Sequence, residues 1–359
     1  MRAALALAMR GLGNTWPNPA VGCVVVRDGQ VIGRGWTAPG GRPHAETEAL
    51  KRAGHAARGA TAYVTLEPCC HWGRTPPCTD ALIAAGVARV VVALRDPDPR
   101  VDGVGLRRLR EAGIEVVEGL LEDEARLLNA GFIKRLSLGL PTVTLKLASS
   151  LDGRIATATG ESQWITGPEA RRVAHALRGQ HDAVLVGSET ALADDPDLTC
   201  RLPGYAPLGT VRVVADTRLR LPTTARMLRS AAQAPVWLAT RPGHPPEALE
   251  ALRQAGADPV ELPLAEDGRL DPAALLRALA ARGITRLLVE GGAGLAASLL
   301  RAGLVDALAW FHAGLVIGGD GRAAVDAAGV AQLATAPHFT VMTAAEVGQD
   351  RLLQLRRRL

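Results

Sequence analysis

Apolar and polar positions along this chain follow two periods that keep exchanging, one near 2 and one near 3.6 residues. Residues 21–27 and 30–36 are valine-rich strand patterns, and the Asp28-Gly29 pair between them is a hairpin turn signal. Residues 61–66 and 89–94 are apolar runs too short for helices, which predicts buried strands. Helical patterns occupy 2–12, 44–52, 79–85, 106–112 and 122–136, with one more strand at 114–117. Gly13 and Gly54 stop the first two helices, and Thr79 stands in position to cap the third. Gly139-Leu140-Pro141 then interrupts the pattern, and the alternation restarts. Strands follow at 142–148, 183–186, 211–215, 236–239 and 285–289, and helices at 168–177, 246–254, 272–281 and 295–300. Strand and helix in alternation predict α/β architecture. A length of 359 residues predicts two domains, 1–140 and 141–359.

Composition narrows the partners. Apolar residues reach 48% while aromatics are only 3%, so the cores are built from Ala, Val and Leu. Lys51, Lys134 and Lys146 are the only lysines among 41 basic residues, which makes each one informative. A net charge of +5 suits either nucleic acid or a phosphorylated small molecule. No basic block is interleaved with aromatics, and Arg356-Arg357-Arg358 reads as a solvated tail, so no nucleic-acid partner is expected. Five cysteines, an odd number without a signal peptide, argue against a disulfide framework. No stretch approaches the ~18 uninterrupted apolar residues of a membrane span. The reading is a soluble cytoplasmic protein without a membrane partner, with room for a homo-oligomer.

The chemistry begins at His44-Ala45-Glu46, at the start of a helix. Cys69 lies 25 residues after His44, within Pro68-Cys69-Cys70-His71-Trp72-Gly73-Arg74-Thr75-Pro76-Pro77-Cys78. One imidazole and two thiolates suit a zinc ion that keeps one position open for water. His44, Cys69 and Cys78 are the candidate ligands, and Glu46 is the residue type that takes and returns the protons. Zinc nucleobase deaminases carry H-x-E followed by P-C-x-x-C. Here eight residues separate Cys69 from Cys78, so the match is not literal. Each thiolate still falls at a strand end or helix start, where backbone N–H groups favour anionic sulfur. Residues 72–77 can fold over the open position and line a pocket. A structural zinc site or reduced core cysteines are the plainer alternatives. The H-x-E triplet, the proline before Cys69 and the strand and helix placement together favour catalysis. Cys70 and His71 could coordinate metal on chemistry alone, while Cys23 reads as core.

After Pro141 the signals are weaker. Lys146 lies within Leu145-Lys146-Leu147, a strand running into a polar turn, and on position alone it reads as solvent-facing on an edge strand. Residues 160–166, with Trp164, form an irregular polar loop before a helix start. Val289-Glu290-Gly291-Gly292-Ala293-Gly294-Leu295 is a strand ending in glycines that open a helix. Such a turn lets backbone approach a pyrophosphate, although it is not a full G-x-G-x-x-G. An α/β domain able to hold a phosphorylated ligand is as far as spacing leads.

Several stretches together resemble the bifunctional riboflavin-biosynthesis deaminase/reductase family. They are residues 15–22, His44-Ala45-Glu46, 68–78, 145–154, 161–166, Ala193-Asp194-Asp195-Pro196 and 289–294, in the family's order. The resemblance implies an N-terminal cytidine-deaminase-like three-layer domain and a C-terminal dihydrofolate-reductase-like domain. It implies zinc-dependent deamination of a diaminopyrimidinone ribosylamine phosphate, then reduction of its sugar to a ribityl chain by NADPH. It supports His44, Cys69 and Cys78 as ligands and Glu46 as proton shuttle, with Asn18, His71 and Arg74 on the pyrimidine. It implies that Ala148, Trp164, Thr190, Asp194, Thr217 and the turn Gly292, Ala293, Gly294, Leu295 line the NADPH site. Ser162, Arg178, Leu198, Arg201 and Glu290 would bind the ribosyl phosphate substrate, and Lys146 and Glu290 are candidates for polarising and protonating the sugar. A monofunctional deaminase and a nucleic-acid base deaminase are the competing readings. Cys70 stands where the family usually has Ser, and Asp98 where Asn is usual. The chain opens at its first helix, where many relatives carry a short lead-in.

Overall fold

The computed structural model describes residues 1–73, 75–202 and 209–358. Two compact units emerge, Met1–Leu140 and Pro141–Leu359. The first runs α1 (Arg2–Ala8), β1 (Gly22–Arg27), β2 (Gln30–Trp36), α2 (Ala45–Ala53), β3 (Thr61–Val64) and α3 (Cys78–Ala85). It continues with β4 (Arg89–Val92), α4 (Val104–Glu111), β5 (Glu115–Glu118), α5 (Glu122–Leu128) and α6 (Ala130–Leu138). Its sheet has the order β2-β1-β3-β4-β5. Strand β1 is antiparallel to both neighbours, and β3, β4 and β5 run parallel. Cys23, Val25, Ala62, Val64 and Val90 from the strands meet Ala45, Ala49, Leu82 and Leu109 from the helices in one apolar cluster.

Helix α2 lies almost directly on β2. A Cβ on Gly33 would stand 2.2 Å from the Ala49 carbonyl oxygen, and one on Gly35 would stand 2.2 Å from that of Ala45. Only glycine permits that approach, and it fixes where α2 begins. His44, where the helix was expected to begin, is its N-cap residue, one position before the observed helix.

The second unit contains β6 (Thr142–Ser149), β7 (Arg154–Ala156), α7 (Pro168–Gly179), β8 (Ala183–Gly187), α8 (Ser188–Asp194) and β9 (Val211–Ala215). Then come β10 (Val236–Thr240), α9 (Pro246–Gln254), β11 (Ala257–Glu261), α10 (Pro272–Ala281), β12 (Arg286–Val289) and α11 (Ala293–Arg301). The chain ends with β13 (Ala307–His312), β14 (Arg322–Ala323), β15 (Phe339–Val347) and β16 (Asp350–Arg357). The large sheet has the order β11-β10-β9-β8-β12-β6-β13-β16-β15. It is parallel from β11 to β13, and β16 and β15 close it antiparallel. Runs such as Ala183–Val186 are wholly buried, as parallel strands covered on both faces should be.

Four expectations are corrected. The predicted helix 122–136 breaks at Asn129, whose side chain accepts from the Ala20 N–H at 3.0 Å and donates to the Ala20 carbonyl at 3.0 Å. Thr79 does not cap α3: Pro77 is the N-cap, and the Thr79 hydroxyl donates to the Cys69 carbonyl at 3.3 Å. Lys146 is not on an edge, because β6 lies between β12 and β13. Strands β11, β13, β15 and β16 and helix α8 were not anticipated.

Buried polar groups tie the second sheet together. One Asp182 carboxylate oxygen accepts from the N–H and hydroxyl of Thr285, both at 2.7 Å, and from the Arg286 N–H at 2.8 Å. The adjacent His181 is 3% exposed, its Nδ1 is 2.7 Å from the Leu177 carbonyl, and its Nε2 is 2.9 Å from the Thr144 hydroxyl. The neutral ring satisfies both contacts, donating from Nδ1 and accepting at Nε2. Burial, helped by Arg286, pulls its pKa from 6.5 down to about 3. A depressed folded-state value stabilises the fold above the unfolded value, and that contribution is lost as pH falls. From pH 6.5 towards 3, His181 should therefore remove up to about 1.4 kcal/mol of stability per pH unit. The check is histidine NMR: the His181 ring should not titrate between pH 8 and 5, whereas titration near 6.5 would refute the burial argument.

Candidate active sites

Three chain segments converge at the C-terminal end of β3. Helix α2 presents His44 from its N-cap, the chain leaving β3 presents Cys69, and the first residue of α3 presents Cys78. Among the described residues, their ligand atoms form the group suited to a metal ion, all within 4.8 Å of one another. His44 Nδ1 lies 3.3 Å from Cys78 Sγ and 3.5 Å from Cys69 Sγ. Tetrahedral zinc with ordinary bond lengths would set nitrogen and sulfur ligands about 3.6 Å apart, so the donor set fits. The Cys78 N–H donates to Cys69 Sγ at 3.3 Å, the helix-start contact that favours a thiolate. A hydrogen bond from Cys78 is the main cause that pulls the Cys69 thiol down to about 4, while the same bond pushes Cys78 up.

His44 and Cys69 line a cavity of about 420 Å³. Asn18, Glu46 and His71 line it, together with Glu67, Asp96 and Asp98. Glu46 is 3% exposed, and burial pushes its pKa up to about 7. His71 has a buried Nδ1 with no partner among the described residues, a polar atom left for a ligand. Gly41 must be glycine, with φ +83° and the Asn18 amide where a Cβ would stand. Arg74 lies outside the described residues. The Cys70 thiol faces away from the ligand group, 3.6 Å from the Arg100 carbonyl. Sequence reasoning missed Glu67, Arg42 and Arg100 in this wall. Glu67 directly precedes Pro68-Cys69, yet a buried carboxylate has no sequence signature.

In the second unit, a charged group gathers around β6. Arg178, on α7, donates from Nε and NH2 to the two Glu290 oxygens at 2.6 and 2.9 Å. Lys146 is desolvated by burial, which lowers its pKa; Glu290 opposes that shift and Arg178 adds to it. Burial would raise Glu290, but Arg178 outweighs it and keeps the carboxyl below its usual value. His175, not anticipated, faces the same group and accepts from the Arg201 N–H at 3.2 Å. After β12, Gly291 and Gly292 have φ of +115° and +87°, and Cβ atoms there would meet Thr190 at 3.3 and 3.7 Å. Helix α11 opens at this turn with no side-chain cap, so its backbone donors suit a phosphate. Gln163, next to Ser162, hydrogen-bonds Asp194. Trp164 is 69% exposed beneath Arg171, whose guanidinium carbon lies 4.5 Å from the ring centroid. Thr217 contributes its carbonyl to His244 Nε2 at 3.2 Å, and Ala148 shares the β6 face of Lys146. Leu198 is 3% exposed within an apolar cluster, so its side chain is not offered to a ligand.

Residues 141–353, more than half of the chain, match the RibD C-terminal domain. The chain belongs to the RibD family. Residues 1–94 match the zinc-binding region of cytidine and deoxycytidylate deaminases. The riboflavin biosynthesis protein RibD of Escherichia coli (strain K12) is 46% identical over 366 aligned residues, covering 99% of this chain and 98% of that one. The Acinetobacter baumannii RibD structure (form 1) superimposes with TM-score 0.88 at 42% identity, covering 100% of this chain and 98% of that one. A Thermotoga maritima diaminohydroxyphosphoribosylaminopyrimidine deaminase/5-amino-6-(5-phosphoribosylamino)uracil reductase follows at 0.86 and 36%, covering 100% and 97%. The chain is thus a bifunctional enzyme of riboflavin biosynthesis, with a cytidine-deaminase-like unit that binds zinc and a reductase unit that uses NADPH. Among the described residues, no helix is long and apolar enough to cross a membrane.

The geometry separates the three neighbouring thiols. Cys69→Ser and Cys78→Ser should each lose bound zinc on purification, whereas Cys70→Ser should retain it in stoichiometric amount. Metal analysis of the three purified proteins decides the matter, and zinc retained by Cys69→Ser would sink the ligand assignment.

Proposed function

We infer that the N-terminal unit deaminates a diaminohydroxy-phosphoribosylaminopyrimidine and that the C-terminal unit reduces the ribosyl group of the resulting uracil derivative to ribityl. The observation that carries the first half is the convergence of His44, Cys69 and Cys78 on one another, with His44, Cys69 and the buried Glu46 in the wall of one cavity. Zinc held by these three atoms supplies the Lewis acidity that makes water nucleophilic near neutral pH. A Glu46 carboxylate oxygen takes the proton from the attacking water and returns it to the departing amine. Its raised pKa suits a group that must hold that proton at neutrality. Asn18 and His71 orient the pyrimidine, His71 through its unpartnered Nδ1.

The second half rests on the turn after β12 and the charged group beside it. The chain fits a dinucleotide there: Gly291 and Gly292 leave room that a Cβ would fill against Thr190, and the uncapped start of α11 faces that room. Thr190, Asp194, Thr217 and the turn 292–295 hold NADPH in this reading, with Ala148 and Trp164. NADPH supplies the hydride. Glu290, held by Arg178, orients the sugar, and Lys146 delivers a proton to it from Nζ. Arg178 and Arg201 receive the substrate's phosphate side. A cytoplasmic location belongs to this reading, supported by five free thiols that include the candidate ligands.

Feeding purified protein the phosphorylated diaminopyrimidine and following products by mass tests both halves. Amine should exchange for oxygen without cofactor, and the sugar should gain two hydrogens only when NADPH is present. Glu46→Gln should slow deamination by roughly a hundredfold or more while still reducing pre-deaminated substrate at the wild-type rate. No deamination by zinc-loaded wild type would refute the first assignment, and loss of both activities in Glu46→Gln would refute the separation of sites.

A further inference from the structure

The wall of the N-terminal cavity contains more acid than a phosphorylated substrate should meet. Glu46, Glu67, Asp96 and Asp98 all line it. Glu46 stands beside the ligand group, and two of the others are held by backbone donors. Glu67 accepts from the backbone N–H groups of Asp96, Gly103 and Leu106 at 3.3, 2.9 and 3.2 Å. Asp96 accepts from the Asp98 N–H at 2.9 Å. Asp98 differs, because hydrogen bonds from the Arg100 side chain hold its carboxyl below the usual range and keep it charged.

The Asp98 side chain is 10% exposed, while that of Arg100 is 69% exposed at the rim of the same cavity. Arg100 Nε donates to the two Asp98 oxygens at 3.0 and 3.1 Å, and NH2 donates to Oδ2 at 2.5 Å. The turn itself does not need this pair. It is already closed by the Asp98 N–H on Asp96 Oδ1 at 2.9 Å, by the Arg100 N–H on Asp98 Oδ1 at 3.0 Å, and by the N–H groups of Val101 and Asp102 on the Asp98 carbonyl at 2.8 and 3.0 Å. The Arg100 head therefore has an electrostatic task. Without it the Asp98 carboxylate keeps one backbone donor but no countercharge, and it repels other anions entering the cavity.

We propose that Arg100 is a specificity-determining residue of the deaminase cavity: it masks the Asp98 carboxylate, so that the cavity accepts a pyrimidine bearing a phosphate. The effect acts through Asp98, so removing the acid should remove the need for the base. The inference rests on the deaminase reading above, and wild-type turnover is the control for that reading.

The test compares steady-state deamination by wild type, Arg100→Ala, Asp98→Asn and the double variant. Each protein is given the phosphorylated substrate and the same ribosylaminopyrimidine without its phosphate. Zinc content and reductase activity report that each protein is intact, and Arg100→Gln replaces the alanine variant if that one loses zinc. Arg100→Ala should raise KM for the phosphorylated substrate on the order of tenfold, with kcat unchanged and little effect on the dephosphorylated one. The double variant should return to within about threefold of Asp98→Asn, the signature of coupled residues. An unchanged KM in Arg100→Ala, an equal penalty on both substrates, or a penalty that persists in the Asp98→Asn background would each overturn the proposal. Failure of zinc-loaded wild type to turn over would overturn the deaminase reading, and the proposal with it.

Discussion

One imidazole and two sulfurs brought within 4.8 Å form the constraint on which the N-terminal unit depends. They come from three places in the chain, so the end of β3 and the starts of α2 and α3 must meet. Each junction has its own cause. Gly33 and Gly35 let α2 lie against β2, which sets the height of His44. The N–H of Thr79 donates to the Cys69 carbonyl at 3.2 Å, and its hydroxyl joins the same oxygen at 3.3 Å. That double contact fastens the chain leaving β3 to the first turn of α3. It also explains why Thr79 is not a cap, since its hydroxyl is committed to the ligand loop. Two sulfurs held this close would repel one another as thiolates, and the hydrogen bond between them pulls Cys69 down and pushes Cys78 up. A dication removes that conflict, and so metal binding and local folding support one another.

What the sequence made legible follows from how local each cause is. The hairpin of β1 and β2 rests on Asp28-Gly29, and the pairing of Arg27 with Gln30 is the consequence. Largely apolar runs announced β4, β8, β10 and β12, because strands buried on both faces need no polar alternation. The failures have distant causes. The break between α5 and α6 comes from Asn129 reaching back 109 residues to Ala20, which no periodicity in that helix records. Strands β15 and β16 lie at the open edge of the sheet, where most β15 residues are exposed and the inward pattern is weak. The candidate site divides the same way. H-x-E and the spaced cysteines are short-range signals, whereas Glu67, Arg42 and Arg100 enter the wall only through the tertiary fold.

Lys146 shows how topology can reverse a local reading. A lysine between two leucines in a strand fits a solvent-facing edge, since β6 alternates buried Val143, Leu145 and Leu147 with Thr144, Lys146 and Ala148. The second face is not solvent. Helix α7 and the residue after β12 supply Arg178 and Glu290 there, and the Phe311 ring lies 5.8 Å from the ammonium. Thr144, one turn of the pleat away, meets His181 on the same face. The half-polar pattern that implies an edge in an antiparallel sheet implies a ligand-facing surface when β6 is the centre of a parallel one.

Both units solve one electrostatic problem, namely keeping carboxylates useful while admitting an anion. In the second unit Glu290 has two cations facing it, Arg178 and Lys146, so the group retains positive charge after the acid is neutralised. In the first, the means are backbone N–H groups around Glu67, burial of Asp96 and Glu46, and a single guanidinium on Asp98. The difference follows from the chemistry. Hydride transfer brings an electron pair into the substrate, and fixed cations stabilise the negative charge that develops. Deamination instead needs a carboxyl that loses and regains a proton, and Glu46 is buried beside the ligand group for that task. The Arg100 guanidinium in the first unit is spent on Asp98 instead.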